Sequence, residues 1–408
     1  MKNSKASTRK PSMRRDVSLE ELKEIAERQN RSVDEVATEY RHALKELGYS
    51  NRKLGKIIDT FGYTRFPHEL RFHNYGHNDE LNSKYLCYSN LDTFGDIPAK
   101  DLAIVTGFGP TNSPTAGTLS SIFRVLELQK RTGIYTHIII SELSALNSRQ
   151  KPLDDLIQNA HQFISFIRKL GFDETRGEIR THNYHDHSRV FSLVSSVLST
   201  KDLLENREVT SDTYKRLRLL GNDFSKMVSR TFTITDIILP LVRDGKRGVI
   251  VPVGLEEHHH PHLARIAVER LKLKAGGVNR LVRPDAQIGA LFNRLIGGFF
   301  PYVKMSKSIP DSSINLGDSP EELHRKIIDC GERSEEVILQ MMVLASDWSP
   351  DKLREAERAF KNRADDYESW KEIKHEYLKF FTKVKNLWER SKYRKKIDTH
   401  RELFASHG

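Results

Sequence analysis

Lys304-Met305-Ser306-Lys307-Ser308 brings two ammonium groups and two hydroxyls together within five consecutive residues. That set suits a nucleoside triphosphate. As the α-phosphate is attacked, the leaving pyrophosphate gains negative charge, which lysines and hydroxyl donors on a short loop can meet. A pentapeptide of this kind also suits an ordinary basic surface loop, so its weight depends on what accompanies it.

A second segment with phosphate chemistry runs Gly107-Phe108-Gly109-Pro110-Thr111-Asn112-Ser113-Pro114-Thr115-Ala116-Gly117-Thr118-Leu119, between an apolar strand pattern at Leu102 to Thr106 and a helical pattern. Glycines let a nucleotide approach the backbone, and a helix N-terminus adds free N–H donors and positive potential. A third segment, Val249 to Gly254, reads as a buried strand and leads into His258, His259, His260 and His262. His258 and His262, at i,i+4 spacing, could share a helix face and a metal. No acidic or cysteine partner has a ligand-like spacing to them, so no protein-bound metal is expected.

The elements that must position these groups follow from periodicity. From Leu102 the chain reads β–loop–α–β, with Ile138-Ile139-Ile140 as the next strand, and Val249 to Gly254 is again followed by a helical pattern through Leu263, Ala267 and Leu271. A mostly parallel α/β sheet results. Beyond the lysine loop the chain turns helical, opening at Ser319-Pro320-Glu321-Glu322, where Ser caps and Pro takes the first helical position. The last long helix carries an apolar seam at Trp370, Ile373, Tyr377, Phe380, Val384, Leu387 and Tyr393, which reads as core packing. Lys371, Lys374, Lys379, Lys383 and Lys385 beside it read as a solvated face with RNA as the alternative occupant. Ser18-Leu19-Glu20-Glu21 and Ser32-Val33-Asp34-Glu35 read as capping boxes opening two amphipathic helices. The expected division is a basic tail over 1–15, a helical appendage over 16–65, a linker or irregular wrap over 66–101, a catalytic α/β domain over 102–310 and a helical domain over 311–408.

No apolar run reaches the roughly 18 residues of a membrane span, so no membrane partner is expected. The 408 residues hold only Cys87 and Cys330, which excludes a disulfide framework and a cysteine-rich zinc site and fits a reducing compartment, the cytoplasm by default. A formal net charge of +11 points to a polyanionic partner such as RNA. Lys2, Lys5, Arg9, Lys10, Arg14 and Arg15 precede any acid. They suit a solvated tail, a nucleic-acid arm or an organelle address, and we read them as a tail.

Taken together, the three segments resemble the tryptophanyl/tyrosyl subgroup of class I aminoacyl-tRNA synthetases, nearer its tryptophanyl side. Thr115-Ala116-Gly117-Thr118 stands where that family has its HIGH-type turn, without either histidine. Val251 to Arg265 resembles its VPVG-x-D-Q-x-x-H-x-x-L-[TA]-R stretch, with Glu256 and Glu257 for Asp and Gln. Lys304 to Ser308 matches its KMSKS loop, and Ile309 to Ile314 continues in kind. The resemblance begins near residue 102 and implies a Rossmann-like parallel-sheet catalytic domain, a helical C-terminal domain and, outside its reach, a small helical N-terminal appendage.

The resemblance further implies activation of an amino acid, tryptophan being expected, as an aminoacyl-adenylate, then transfer to tRNA, with ATP and Mg²⁺ required and a homodimer expected. In that scheme Lys307, and secondarily Lys304, meet the pyrophosphate charge, and Ser306 and Ser308 bond its oxygens. ATP contacts are expected from Gly107, Gly109, Thr115, Gly117, Thr118, Gly254, Glu256, Glu257, Lys304, Met305 and Lys307. For the amino acid, Ile140 to Asn147 resembles the family's ADLHAxxN stretch and offers Glu142. The family's indole acceptor falls, ungapped, on Val242, flanked by Asp236 and Asp244. Two rivals stay open: a paralogue passing the activated amino acid to another acceptor, and a catalytically silent RNA-binding regulator.

Overall fold

The computed structural model describes residues 19–28, 32–38, 50–66, 70, 73, 78–149, 151–182, 185–205, 223–274, 281–302, 305 and 309–393. Seven strands form one sheet: β1 Thr64–Arg65, β2 Tyr85–Ser89, β3 Leu102–Phe108, β4 Tyr135–Ile140, β5 Gly177–Arg180, β6 Gly248–Gly254 and β7 Gln287–Asn293. Their order is β1-β2-β7-β6-β3-β4-β5. The five from β7 to β5 are parallel, while β2 runs antiparallel to β7 and β1 to β2. Near-continuous apolar strands such as Leu102-Ala103-Ile104-Val105 are what burial on both faces requires, and the two faces divide them. Leu102 and Ile104 join one core, and Ala103 and Val105 the other.

Five helices build most of the two covering layers: α1 Ala116–Thr132, α2 Glu142–Arg149, α3 Leu153–Lys169, α4 Asp223–Arg243 and α5 His259–Lys274. Leu119, Ile122, Val125 and Leu128 of α1 pack in the first core, whereas Leu263, Ala267 and Leu271 of α5 pack in the second. The helices that follow β3 and β6 therefore leave on opposite faces. Between these adjacent strands lies the switch point at which open α/β sheets bind ligands.

The C-terminal helices, α6 Pro320–Ile327, α7 Glu335–Leu344, α8 Pro350–Asn362 and α9 Tyr367–Glu389, continue the first core. Ser319 caps α6 by accepting from the Glu322 N–H at 3.2 Å, and Pro320 takes its first position as the sequence suggests. Trp388 of α9 meets Phe163 and Phe166 of α3 edge-on at 5.1 and 5.3 Å. The buried seam of α9 is Trp370, Ile373, Tyr377, Phe381, Val384 and Trp388; Phe380 and Leu387 are partly buried. A helix turns 100° per residue, so the core lies one residue further round than the apolar types alone suggest.

Two other expectations change. The lysine row of α9 is not one solvated face: Lys374 is 1% exposed and donates to the Ile328 carbonyl at 2.8 Å, and Lys385 is buried beside Glu389, while Lys379 and Lys383 are exposed. Buried ammonium groups need such partners. The stretch 66–101, read as a linker or irregular wrap, contains β2. Its Asn- and His-rich start hides the short run Tyr85-Leu86-Cys87-Tyr88, which completes the sheet beside β7. Ser32 and Glu35 form the reciprocal capping bonds expected of them, at 3.1 and 3.2 Å. Ser18 and the basic tail over 1–15 lie outside the described residues.

Candidate active site

The turn after β3 and the segment after the lysine loop are laced together. Thr115 and Asn315 form an antiparallel bridge, the Ala116 N–H donates to the Ile314 carbonyl at 3.0 Å, and the Leu316 N–H donates to that of Pro114 at 3.0 Å. Ser113 Oγ donates to Asn315 Oδ1 at 3.0 Å. Segments far apart in the chain thus meet at the start of α1. Thr115 is the N-cap of that helix, its Oγ1 accepting from the Thr118 N–H at 3.3 Å, with the Thr118 hydroxyl also 3.3 Å away. With the Ala116 N–H given to Ile314 and the Thr118 N–H to Thr115, the Gly117 amide is what this helix start offers a phosphate.

Lys326 holds the other strand of this junction. Only 4% exposed, it donates to the Ser313 and Pro310 carbonyls at 2.7 and 3.1 Å and pairs with Asp318 at 3.0 Å. Asp318 in turn accepts from Asn315 Nδ2 at 2.6 Å. A polar cleft of about 400 Å³ opens along the junction, lined by Thr111, Asn112, Thr115, Lys151, Asp155 and Ser313 among others. Tyr302 and Ile309 pack on each other on either side of the lysine loop, and Met305 is buried in the first core. Lys304, Ser306, Lys307 and Ser308 lie outside the described residues.

At the end of β6, Gly254 is covered by the Glu256 carboxylate: a Cβ there would meet Glu256 Oε2 at 2.4 Å. A side chain at this position would have to push that carboxylate aside. Glu257 pairs with His260 Nε2 at 2.9 Å, and His259 is buried and held neutral by its burial. Tyr63 Oη lies 3.2 Å from His258 Nδ1, and Phe61 packs edge-on against His258 and His262 at 4.6 and 5.1 Å. The i,i+4 pair His258 and His262 is thus taken up in aromatic packing. Phe61 ends an N-terminal helix, Ser50–Phe61, so part of the appendage supports the His-rich turn. Gly107 and Gly109 lie at the carboxyl end of β3, where a Cβ on Gly107 would reach Ser141 Oγ at 3.3 Å, and Gly117 sits in the first turn of α1.

Of the three acids expected at the amino acid, Glu142 and Asp236 meet around His182, and Asp244 does not join them. Glu142 opens α2 and is buried, which raises its carboxyl above the usual range. Its Oε1 accepts from the His182 N–H at 3.0 Å, while Oε2 has no partner among the described residues. Asp236 is also buried, and its carboxylate is occupied: His182 Nε2 lies 3.0 Å from Oδ2, and His187 Nε2 and Arg180 Nη2 lie 3.1 and 3.4 Å from Oδ1. Burial opposes its ionisation, but these partners hold it well below the usual carboxylate range. Asp236 raises His182, against the effect of burial, whereas burial lowers His187.

Asp244 stands apart from both. It pairs with Arg243 at 2.7 Å and lies 3.7 Å from His137, near the start of β4. Eight residues along a helix span about 12 Å, which carries Asp244 from the carboxyl ends of the strands to the opposite edge. Val242, the ungapped position, is partly buried against the second core. Missed in the sequence were Arg180, His182, His187 and Lys326 as a supporting set. The run His182-Asn183-Tyr184-His185-Asp186-His187, polar between two apolar patterns, was the available signal.

The family model described as "tRNA synthetases class I (W and Y)" matches residues 98–390. The tryptophan–tRNA ligase of Aeropyrum pernix is 26% identical over 231 residues, covering 55% of this chain and 56% of that protein. The matched stretch is therefore little more than half of that relative's length. A tryptophan–tRNA ligase of Methanopyrus kandleri is 24% identical over 299 residues, 72% of this chain and 71% of its own. Among solved structures, the tryptophanyl-tRNA synthetase of Aeropyrum pernix K1 superposes with a TM-score of 0.61 at 18% identity, covering 85% of this chain and 98% of that one.

Proposed function

Because the chain belongs to the class I tRNA synthetases of the tryptophan and tyrosine (W and Y) family, we propose that it activates an amino acid with ATP and transfers it to tRNA. The observation that carries the proposal is the Thr115–Asn315 junction, which brings the helix-start turn against the segment that leads out of the lysine loop. In the first step the amino-acid carboxylate attacks the α-phosphate of ATP in line. An aminoacyl-adenylate forms and pyrophosphate leaves. In the second, a terminal ribose hydroxyl of tRNA attacks the activated carbonyl and AMP departs. Catalysis comes from positioning and electrostatics, without a protein nucleophile.

In this reading the Gly117 amide of α1, with the Thr115 and Thr118 hydroxyls, faces the phosphates. Gly107 and Gly109 let the backbone approach the nucleotide, and Gly254, Glu256 and Glu257 border it from β6. Lys307 and Lys304 meet the leaving pyrophosphate, with Met305 anchoring their loop and Ser306 and Ser308 supplying hydroxyl donors. Mg²⁺ accompanying ATP would neutralise phosphate charge.

We assign tryptophan as the amino acid, ahead of tyrosine, with the tryptophan–tRNA ligases above as support. Glu142 is the residue we place against it, because its Oε2 is a buried oxygen still without a partner among the described residues. A homodimer in the cytoplasm completes the proposal. The deciding experiment is amino-acid-dependent exchange of pyrophosphate into ATP across a panel of amino acids, followed by charging of total tRNA. Fastest exchange with tryptophan is the expected result. No exchange with any amino acid would overturn the activity, and exchange without tRNA charging would move the product to another acceptor.

A further inference from the structure

His182, His187 and Asp236 converge from three separate elements. His182 follows β5, His187 lies in the helix His185–Ser195, and Asp236 lies in α4. All three are buried, and one ligand-type atom from each falls within 4.8 Å of the others. Both imidazoles present Nε2 to the same carboxylate, at 3.0 and 3.1 Å. A tetrahedral zinc with bonds near 2.0–2.1 Å sets its ligand atoms roughly 3.3 Å apart, so a small inward or outward adjustment of these side chains would accommodate the ion.

The surroundings favour a held site over a casual hydrogen-bonded cluster. Phe232 covers both rings, with centroids 4.9 Å from His182 and 5.2 Å from His187, and the two imidazoles are themselves 4.8 Å apart. Hydrogen bonding alone leaves the set incomplete, since His182 Nδ1 is buried with no partner among the described residues. Arg180 approaches Asp236 at 3.4 Å but also lies 3.6 Å from Glu178, so two carboxylates share its charge. Two imidazoles and a carboxylate form a donor set suited to zinc and its first-row neighbours, an incoming cation displacing any proton that Asp236 holds on His182.

We propose that His182, His187 and Asp236 bind a divalent transition-metal ion, zinc by preference, that ties the β5 end of the sheet to α4. The site lies beside Glu142, whose Oε1 accepts the His182 N–H, so the ion would also steady the wall of the candidate amino-acid pocket. Metal binding does not depend on the ligase reading. It would stand if the protein activated no amino acid.

The test uses the full chain, stripped with chelator and titrated with cobalt(II) and then zinc(II). Uptake of one equivalent, with visible cobalt absorption of the low-coordinate type that zinc displaces, is expected. His187→Gln and Asp236→Asn should each weaken uptake by at least about 100-fold, the loss of a direct ligand exceeding that of its outer support. His259→Gln and His260→Gln test the other His-containing group, with Glu257, and should leave uptake unchanged. Absence of tight uptake by the wild-type chain would overturn the proposal whether or not the variants fold. Loss of uptake in His259→Gln or His260→Gln, with retention in His187→Gln, would move the metal to that turn and equally overturn it.

Discussion

Lys307 is the side chain with most to lose. In the proposed reaction its ammonium meets charge that appears only as pyrophosphate leaves, so Lys307→Ala should lower pyrophosphate exchange by roughly 10²–10³-fold, the scale for removing one such donor. Amino-acid binding, followed by fluorescence titration, should change far less, because the lysine contributes little before the bond begins to break. Unchanged exchange would remove the lysine from the chemistry. Glu142 bears on selection. If its free oxygen takes the indole N–H, Glu142→Ala leaves that donor unpaired at a cost of roughly 1–3 kcal/mol, and discrimination of tryptophan against phenylalanine in kcat/KM should fall by ten- to a hundredfold or so. ATP affinity measured in the same assay should hold. Among the individual residues the sequence was a good guide where a short motif carries its own spacing: Thr115, Gly254 and the Ser319 cap stand where their neighbours implied. It left Asp236 in α4 and Asp244 just beyond that helix as alternatives, because nothing local to either says which end of the sheet it will reach.

Among the elements, the junction between the start of α1 and residues 310–318 is pinned by one buried cation. Lys326→Met keeps the length of the side chain but leaves Asp318 and two carbonyls without its ammonium. Breaking a buried pair from one side costs roughly 3–5 kcal/mol, so a marked fall in Tm is expected, together with weaker ATP binding by the soluble fraction. A variant with wild-type Tm and exchange rate would show that the junction needs no such clamp. A second element-scale effect lies at the far edge of the sheet. Burial alone would raise Glu178, but hydrogen bonds from His137 and Arg243 hold it down, from an ordinary 4.5 to about 2. The folded chain therefore gives this carboxylate a proton less readily than the unfolded chain does. Its stabilisation is complete above about pH 4.5 and is lost as pH falls through about 2. Urea midpoints measured across that window should drop less steeply for Glu178→Gln than for the native chain. The elements legible in the sequence were the long ones with clear periods, β3, α1, β6 and α9. Those that escaped, β2 above all, are short strands whose identity comes from the partner they add to, here β7.

At the scale of the whole molecule, charge is the property the sequence states most directly. With a net charge of +11, binding of tRNA should weaken steeply as salt is added, since each neutralised phosphate releases counterions. Removing residues 1–15, which hold six cations ahead of the first acid, should reduce tRNA affinity in filter-binding assays while adenylate formation continues. A truncated chain that binds tRNA as well as the intact one would assign those residues to solubility or address. The division into separate catalytic and helical units was less legible, because side chains of α9 and α3 that lie far apart in sequence finish a single core. Ser113 and Asn315 are 202 positions apart. Contacts of such separation are slow to form, so the candidate phosphate-binding face exists only after the chain has been made past Asn315 and folded. A growing polypeptide that already contains β3, α1 and the first turn of the site therefore presents ATP with half a cradle, and pulse-labelled intermediates should acquire nucleotide protection against proteolysis together with the C-terminal helices, not before them.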